Sequence, residues 1–228
     1  MIAALFDLDG TLCTEHVWRA LMRYFNEHRR RRLLVRAFWV VHFPLWPLHR
    51  LGLLSREHFS RLWVNDMPWF LVGLRHEEGQ TLFRWITDQV LLPSLRSDVA
   101  EILRHHQDEG HLVILVSGAF EELLACLGER LGVQHVVGTR LEIKRGRYSG
   151  RAVKPPCFGQ DKVTLLTEYL DSNGLEIDLA QSFAYGDSIF DVPMLELVGH
   201  PVAVYPDRQL WDYASQRGWR VIGEPKET

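Results

Sequence analysis

Four short apolar runs in this chain stop abruptly or hand over to a helical pattern. Residues 2–6 meet Asp7, residues 112–116 meet Ser117-Gly118, residues 182–185 meet Gly186-Asp187, and residues 202–204 lead into a helical pattern over 207–216. Runs this short and this continuously apolar read as strands buried on both faces. Helical spacing fills the gaps between the later ones. Val99, Ile102, Leu103 and His106 share one helix face that Gly110 ends, and further helices are expected over 121–131 and 161–170. Another short strand is expected at 135–137, and a hairpin over 141–148 with its turn at Gly146. Strands and helices alternating in this way predict an α/β fold, a Rossmann-like parallel sheet with helices on both faces.

The first two strands stand far apart. Roughly ninety residues of helical or irregular apolar pattern separate them, far beyond an ordinary connection. Val17, Leu21, Tyr24 and Phe25 fall at helical spacing there, and prolines at 44, 47 and 68 break the pattern. The reading is a helical unit of its own, inserted after the first strand.

At 228 residues the chain is long enough to bury a sizeable core. A net charge of −3 offers no global field for nucleic acid, so no nucleic-acid partner is expected. Cys13, Cys126 and Cys157 are odd in number and lack CxxC spacing, which suggests a reducing, cytoplasmic setting. The first apolar run reaches Asp7 with no basic residues before it, so no cleavable leader is expected. The stretch 33–48 contains Arg36, His42, Pro44 and Pro47 and is too interrupted to span a bilayer.

In open α/β sheets ligands bind at the carboxyl ends of strands. Polar residues collect at those positions: Asp7 and Asp9, Ser117, Lys162, Asp187 and Asp191. Asp7 and Asp9 are two apart in an extended segment and point to one face. Like charges that close favour a cation, and oxygen ligands favour magnesium. Asp187 would complete the site, with Asp191 four residues on. An aspartate can attack phosphorus to form an acyl phosphate, and a second can protonate the leaving oxygen and then activate water. Gly10 suits a turn whose amides face an anion. Ser117 offers a hydroxyl to a phosphate oxygen, Gly118 allows close approach, and a helix starting near Ala119 would add a favourable field. Lys162 supplies a point charge for phosphate. An EF-hand reading fails, because Leu12 stands where that loop needs glycine and Trp18 where it needs glutamate.

These segments together resemble the haloacid dehalogenase-like superfamily, in its phosphoserine-phosphatase-like branch. DLDGT at 7–11, VSGAF at 116–120, FGQDKV at 158–163 and GDSIFDVPML at 186–195 match its four motifs in order. The resemblance implies a magnesium-dependent phosphatase acting on a small phosphorylated substrate. Asp7 would be nucleophile and metal ligand. Asp9 would be acid/base and ligate through its backbone carbonyl. Ser117, Gly118 and Lys162 would hold the phosphoryl group, and Asp187 and Asp191 would serve the metal. It also implies a core of 1–13 plus 94–228 and a mobile helical cap over 14–93. Phosphoserine-specific members carry an acidic residue early in the cap to meet the substrate amine. Here that neighbourhood reads Glu15-His16-Val17, with His16 at the matching position.

Two other readings stay open. Arg29 to Arg32 precede the apolar stretch 33–48, and basic residues beside tryptophans suit an anionic lipid surface. That would make the protein a lipid-phosphate phosphatase with peripheral membrane contact through the cap, as in phosphatidylglycerophosphatase-like relatives. The other is a phosphate-binding protein without turnover. Most of the eight tryptophans cluster between residues 18 and 85 and read as cap core. His105, His106 and His111 lack zinc-ligand spacing with cysteines.

Overall fold

The computed structural model describes residues 1–29, 31–43, 47 and 55–226. In chain order its strands are β1 (Ala3–Phe6), β2 (Leu112–Phe120), β3 (His135–Thr139), β4 (Leu141–Lys144), β5 (Arg147–Ala152), β6 (Phe183–Gly186), β7 (His200–Val204) and β8 (Arg220–Ile222). Six of them form one sheet in the order β3-β2-β1-β6-β7-β8, and every pairing in it is parallel. The α/β expectation holds. The remaining pair, β4 and β5, is an antiparallel hairpin turning through Arg145 and Gly146, both at positive φ.

Why the strands read as unbroken apolar runs is visible in β1. Ala4 and Phe6 enter one hydrophobic cluster while Ala3 and Leu5 enter another, so both faces of the sheet are covered. The helices are α1 (Val17–Glu27), α2 (Arg32–His42), α3 (Arg56–Asp66), α4 (His76–Ile86), α5 (Ser97–Asp108), α6 (Glu121–Leu131), α7 (Gln160–Ser172), α8 (Val192–Leu195) and α9 (Arg208–Arg217). On one face α5 and α6 supply Val99, Leu103, Leu123 and Leu127; on the other, α7 and α9 supply Leu166 and Leu210.

The inserted helices are not a separate core. Val17, Leu21, Phe25 and Phe38 of α1 and α2, with Leu82, Phe83 and Ile86 of α4, belong to the same cluster as Phe6 and Leu124. Phe83 of α4 lies 6.0 Å from Phe120 at the end of β2. The hairpin joins this layer: Gly73 and Leu74 exchange backbone hydrogen bonds with Tyr148, whose hydroxyl donates to Glu122 at 2.6 Å.

In α2, Val35 and Phe38 turn inward, while Leu33, Val40, Val41 and Phe43 just beyond it are exposed. Of the segment expected to meet lipid, Arg30, Pro44, Leu45, Trp46 and Leu48 lie outside the described residues. No helix among the described residues is long and apolar enough to cross a membrane.

Two expectations are corrected. Ser117 and Gly118 do not close β2 but lie within it: after a register shift the strand resumes with Phe120 opposite Thr139. The following helix spans Glu121–Leu131 as expected, so the field suggested for a start near Ala119 begins two residues later. The short edge strand β8 is an addition that its three residues did not signal.

Candidate active site

β1 runs up the middle of the sheet, flanked by β2 and β6, and Asp7 follows its last residue. The Asp7 amide donates to the Tyr185 carbonyl at 3.0 Å, which holds it at the carboxyl edge beside the end of β6. Asp187 follows β6 directly, and Asp191 stands on the short turn beyond it. Lys162 lies in the first turn of α7. Four sequence-distant segments thus converge on one point.

There Lys162 Nζ donates to Asp7 Oδ1 and to Asp191 Oδ1, both at 2.6 Å. Asp191 Oδ2 accepts the backbone amides of Asp187 and Ser188 at 3.2 and 3.1 Å. Asp187 Oδ1 accepts the Thr11 hydroxyl at 3.3 Å, and its Oδ2 is paired with the ammonium of Lys226. Among the described residues no group donates to Asp7 Oδ2, and the residue lines an open cavity. Gly10, at φ +88°, fits tightly here, since a Cβ would collide with the Asp187 carboxylate.

Asp7, Lys162, Asp187 and Asp191 are buried, with Lys162 3% and Asp7 5% exposed, while Lys226 is partly exposed. Burial alone would push the Lys162 ammonium down, but the carboxylates of Asp191 and Asp7 more than reverse it, and its pKa lies above the ordinary value. Burial pushes the Asp187 carboxyl up to about 7 and also raises Asp191. Burial, then the nearby Asp7 charge, raises Asp9 to about 8, against the opposing hydrogen bond from Val17.

Asp9 behaves differently from its neighbours. Its carboxylate turns toward α1 and accepts the Val17 amide through both oxygens, at 3.1 and 3.3 Å. That amide is one of the donors a helix N-terminus leaves unsatisfied. The carboxylates that gather are Asp7, Asp187 and Asp191, with ligand atoms within 4.8 Å of one another. Three buried carboxylates offering only oxygen suit a hard divalent ion such as magnesium, so the residues present fit that group. The Asp9 side chain is outside this trio; its backbone carbonyl is the ligand the resemblance assigns to it.

Ser117 and Gly118 line the same cavity of about 390 Å³. The Ser117 hydroxyl accepts the Ala119 amide at 3.3 Å. The helical layer closes the cavity with His16, Trp18, Ser60, Trp63 and Val64. Cys13 and Cys157 are buried thiols pushed up to about 12 by that burial, so neither is a nucleophile at neutral pH. The three histidines form no metal site with other ligands: His106 bonds His111 at 2.8 Å and the Tyr185 hydroxyl at 2.7 Å.

Sequence reasoning missed several residues. Lys226 sits in a polar tail with no motif. Arg56 bridges the layers by pairing with Asp207 at 2.8 Å. Thr11 was visible inside DLDGT, where a hydroxyl beside two carboxylates is the available signal. Trp18 and Trp63 pack on the core as expected but also face the cavity.

The family model for haloacid dehalogenase-like hydrolases matches residues 4–196. The chain belongs to this family. It is a hydrolase, of the phosphoserine-phosphatase-like kind, and several of its relatives carry phosphatase names. A probable phosphatase of Mycobacterium tuberculosis is 31% identical over 96% of this chain and 74% of its own length. A phosphoserine phosphatase of the same organism is 34% identical over 96% and 70%. A solved Bordetella pertussis protein of unknown function superposes with a TM-score of 0.80 at 29% identity, covering 98% of this chain and 99% of that one.

Proposed function

We propose that this hydrolase cleaves small phosphomonoesters through a phospho-aspartate on Asp7 with magnesium bound. The observation that carries the reading is the placement of Asp7: a carboxylate fixed at one oxygen by Lys162 and open to the cavity at the other. Asp7, Asp187, Asp191 and the Asp9 carbonyl would hold magnesium, which when bound would supply positive charge for phosphoryl transfer.

The chain's own groups do the rest. The free oxygen of Asp7 attacks phosphorus, and the bond from phosphorus to the ester oxygen breaks. Asp9, whose carboxyl burial holds above the ordinary carboxylate range, gives its proton to the departing oxygen. As a carboxylate it then takes a proton from water, whose oxygen attacks the same phosphorus and releases phosphate and Asp7. Lys162, Ser117 and the backbone at Gly118 hold the phosphoryl oxygens and stabilise the charge that develops on them. A protein that only binds phosphate has no need of Asp9, and the retained acid/base disfavours that alternative.

The proposal extends to organisation and setting. Residues 14–93 act as a cap over the core of 1–13 plus 94–228, latched by Arg56 on Asp207 and by Arg61 on Asp161 at 2.6 Å. The three cysteines are free, which supports a cytoplasmic location.

The test is to trap the intermediate. Acid quenching during turnover of a radiolabelled phosphomonoester should leave label on the protein, hydroxylamine should remove it, and Asp7→Asn should carry none. A chelator should abolish turnover and magnesium restore it. Activity that persists in excess chelator, or label retained by Asp7→Asn, refutes the mechanism.

Peripheral membrane contact is a second reading, favoured by the exposed Leu33, Val40 and Val41 on α2. Flotation with anionic vesicles at low salt, lost at high salt, checks it.

A further inference from the structure

The helical wall of the phosphoryl cavity has a second cavity of about 520 Å³ beside it, and the two share Trp18, Ser60, Trp63 and Val64 as walls. Its remaining described lining is Trp39, His42, Phe43 and Phe59. Trp63 is the hub. Its ring meets Trp18 edge-on at 5.5 Å, Trp39 at 6.0 Å and Phe59 at 6.1 Å. A volume within the roughly 300–1,000 Å³ typical of small-molecule sites, walled almost entirely by aromatic rings, suits an apolar group.

Charge points the same way. Every carboxylate among the described lining residues of the phosphoryl cavity belongs to the sheet side or is Asp207, which is already bonded to Arg56; none comes from α1 to α4. The second cavity has no carboxylate among its described lining residues. The acids of α3 are already partnered: Glu57 pairs with Arg61 at 3.7 Å, and Asp66 pairs at 3.1 Å with the ring of His42 behind the cavity wall. An amine on the leaving group would find no anionic partner on the helical side. His16, which also lines the phosphoryl cavity, is no carboxylate and offers no negative charge.

We infer that the aromatic cavity is the leaving-group subsite and that the substrate class is phosphomonoesters of apolar alcohols, dissolved rather than embedded in a bilayer. With phosphorus beside Asp7, a carbon chain leaving the ester oxygen passes Trp18 and Trp63 and enters the groove. Each methylene buried there should raise kcat/KM several-fold. Trp39, Phe43 and Phe59 line only the second cavity and so bear on the chain and not on the phosphoryl group. This inference rests on the phosphatase reading above.

The test is a series of primary alkyl phosphates: ethyl, butyl, hexyl and 2-phenylethyl, with O-phospho-L-serine alongside. The simple alkyl esters share nearly one leaving-group basicity, so differences in kcat/KM report binding of the tail. Hexyl phosphate, kept below the concentration at which it self-associates, should exceed ethyl phosphate at least about tenfold in kcat/KM. Trp39→Ser and Phe59→Ser should each pull that ratio toward one. A flat or falling series, a preference for phosphoserine over hexyl phosphate, or a ratio unmoved in both variants overturns the inference. Faster turnover of phosphatidic acid in vesicles than of dissolved hexyl phosphate overturns the choice of a dissolved substrate. Calorimetry with hexyl- and ethylphosphonate separates the two levels. If no ester is hydrolysed the phosphatase reading falls, and the phosphonate affinities still decide the groove: tighter hexyl binding upholds it and equal binding removes it.

Discussion

At the sheet end of the cavity, two ammonium groups and three carboxylates interlock within ion-pair distance: Lys162 with Asp7 and Asp191, Lys226 with Asp187. At the helical end the walls are the rings of Trp18, Trp63, Trp39 and Phe59, held to one another by edge and tilted contacts. The first end tolerates few residue types, because each atom must carry a defined charge in a defined place. The second requires only apolar area of suitable shape, which many sequences provide. One protein thus keeps its chemistry in a rigid electrostatic cluster and its selectivity in a packed aromatic wall, and substitutions at the two ends should fail in different ways.

The sharpest break is at the sheet end. Asp7→Asn should lower kcat by on the order of 10⁴ or more, as expected for loss of a nucleophile, while the circular dichroism spectrum stays native. A residual rate above a few per cent would remove Asp7 from that role. Lys162→Met should reveal the charge cluster as a liability when unbalanced. Asp7 and Asp191 would be left buried without their counter-ion, at a cost of about 3–5 kcal/mol in urea unfolding of the metal-free protein. Added magnesium should recover part of that loss; a melt unchanged by the substitution would mean the carboxylates are not held in the ionised state.

At the helical end the contrast is between neighbours in sequence. Phe38 is 1% exposed and its ring meets His42, Trp63 and Phe70, so Phe38→Ala should destabilise by about 3–5 kcal/mol. Trp39, 39% exposed, lines the groove, and Trp39→Ala should shift the melt by under about 1 kcal/mol. Comparable losses in both would make the groove wall a structural core rather than a binding surface.

The smallest effect lies outside both ends and serves as a control. Burial, then the adjoining His111 and His105, lowers His106 to about 4 from an ordinary 6.5. The unfolded chain therefore binds more protons than the folded one between those values, and stability rises with pH across that window. Acidifying from pH 6.5 toward 4 should cost stability, and His106→Gln should flatten that part of the curve. An identical slope in the variant would remove His106 as the source of the acid sensitivity; the carboxyls of Asp9, Asp187 and Asp191, raised by burial, would act in the opposite direction.

How much of this was legible in the sequence follows the same division. Asp7, Asp9, Ser117, Lys162, Asp187 and Asp191 stood out because strands ending in acids and hydroxyls are hard to explain otherwise. The sheet was legible because strands covered on both faces must be apolar throughout. Lys226 was not, because its role depends on where the tail crosses Pro206, whose carbonyl accepts its amide at 2.9 Å. The groove was not, because Trp18, Trp39 and Trp63 come from three helices whose packing no local pattern specifies. The boundary of β2 was misplaced because Ser-Gly is a turn signal by composition, while pairing of Phe120 with Thr139 overrides it.

The bond from the Val17 amide to the Asp9 carboxylate ties the first turn of α1 to the residue proposed to move the proton. Any swing of the inserted helices large enough to admit substrate through α1 must stretch or release that bond. In the arrangement described, that bond aims the Asp9 carboxyl; a proposed cap that swung α1 away from the core would release it and leave the acid unaimed.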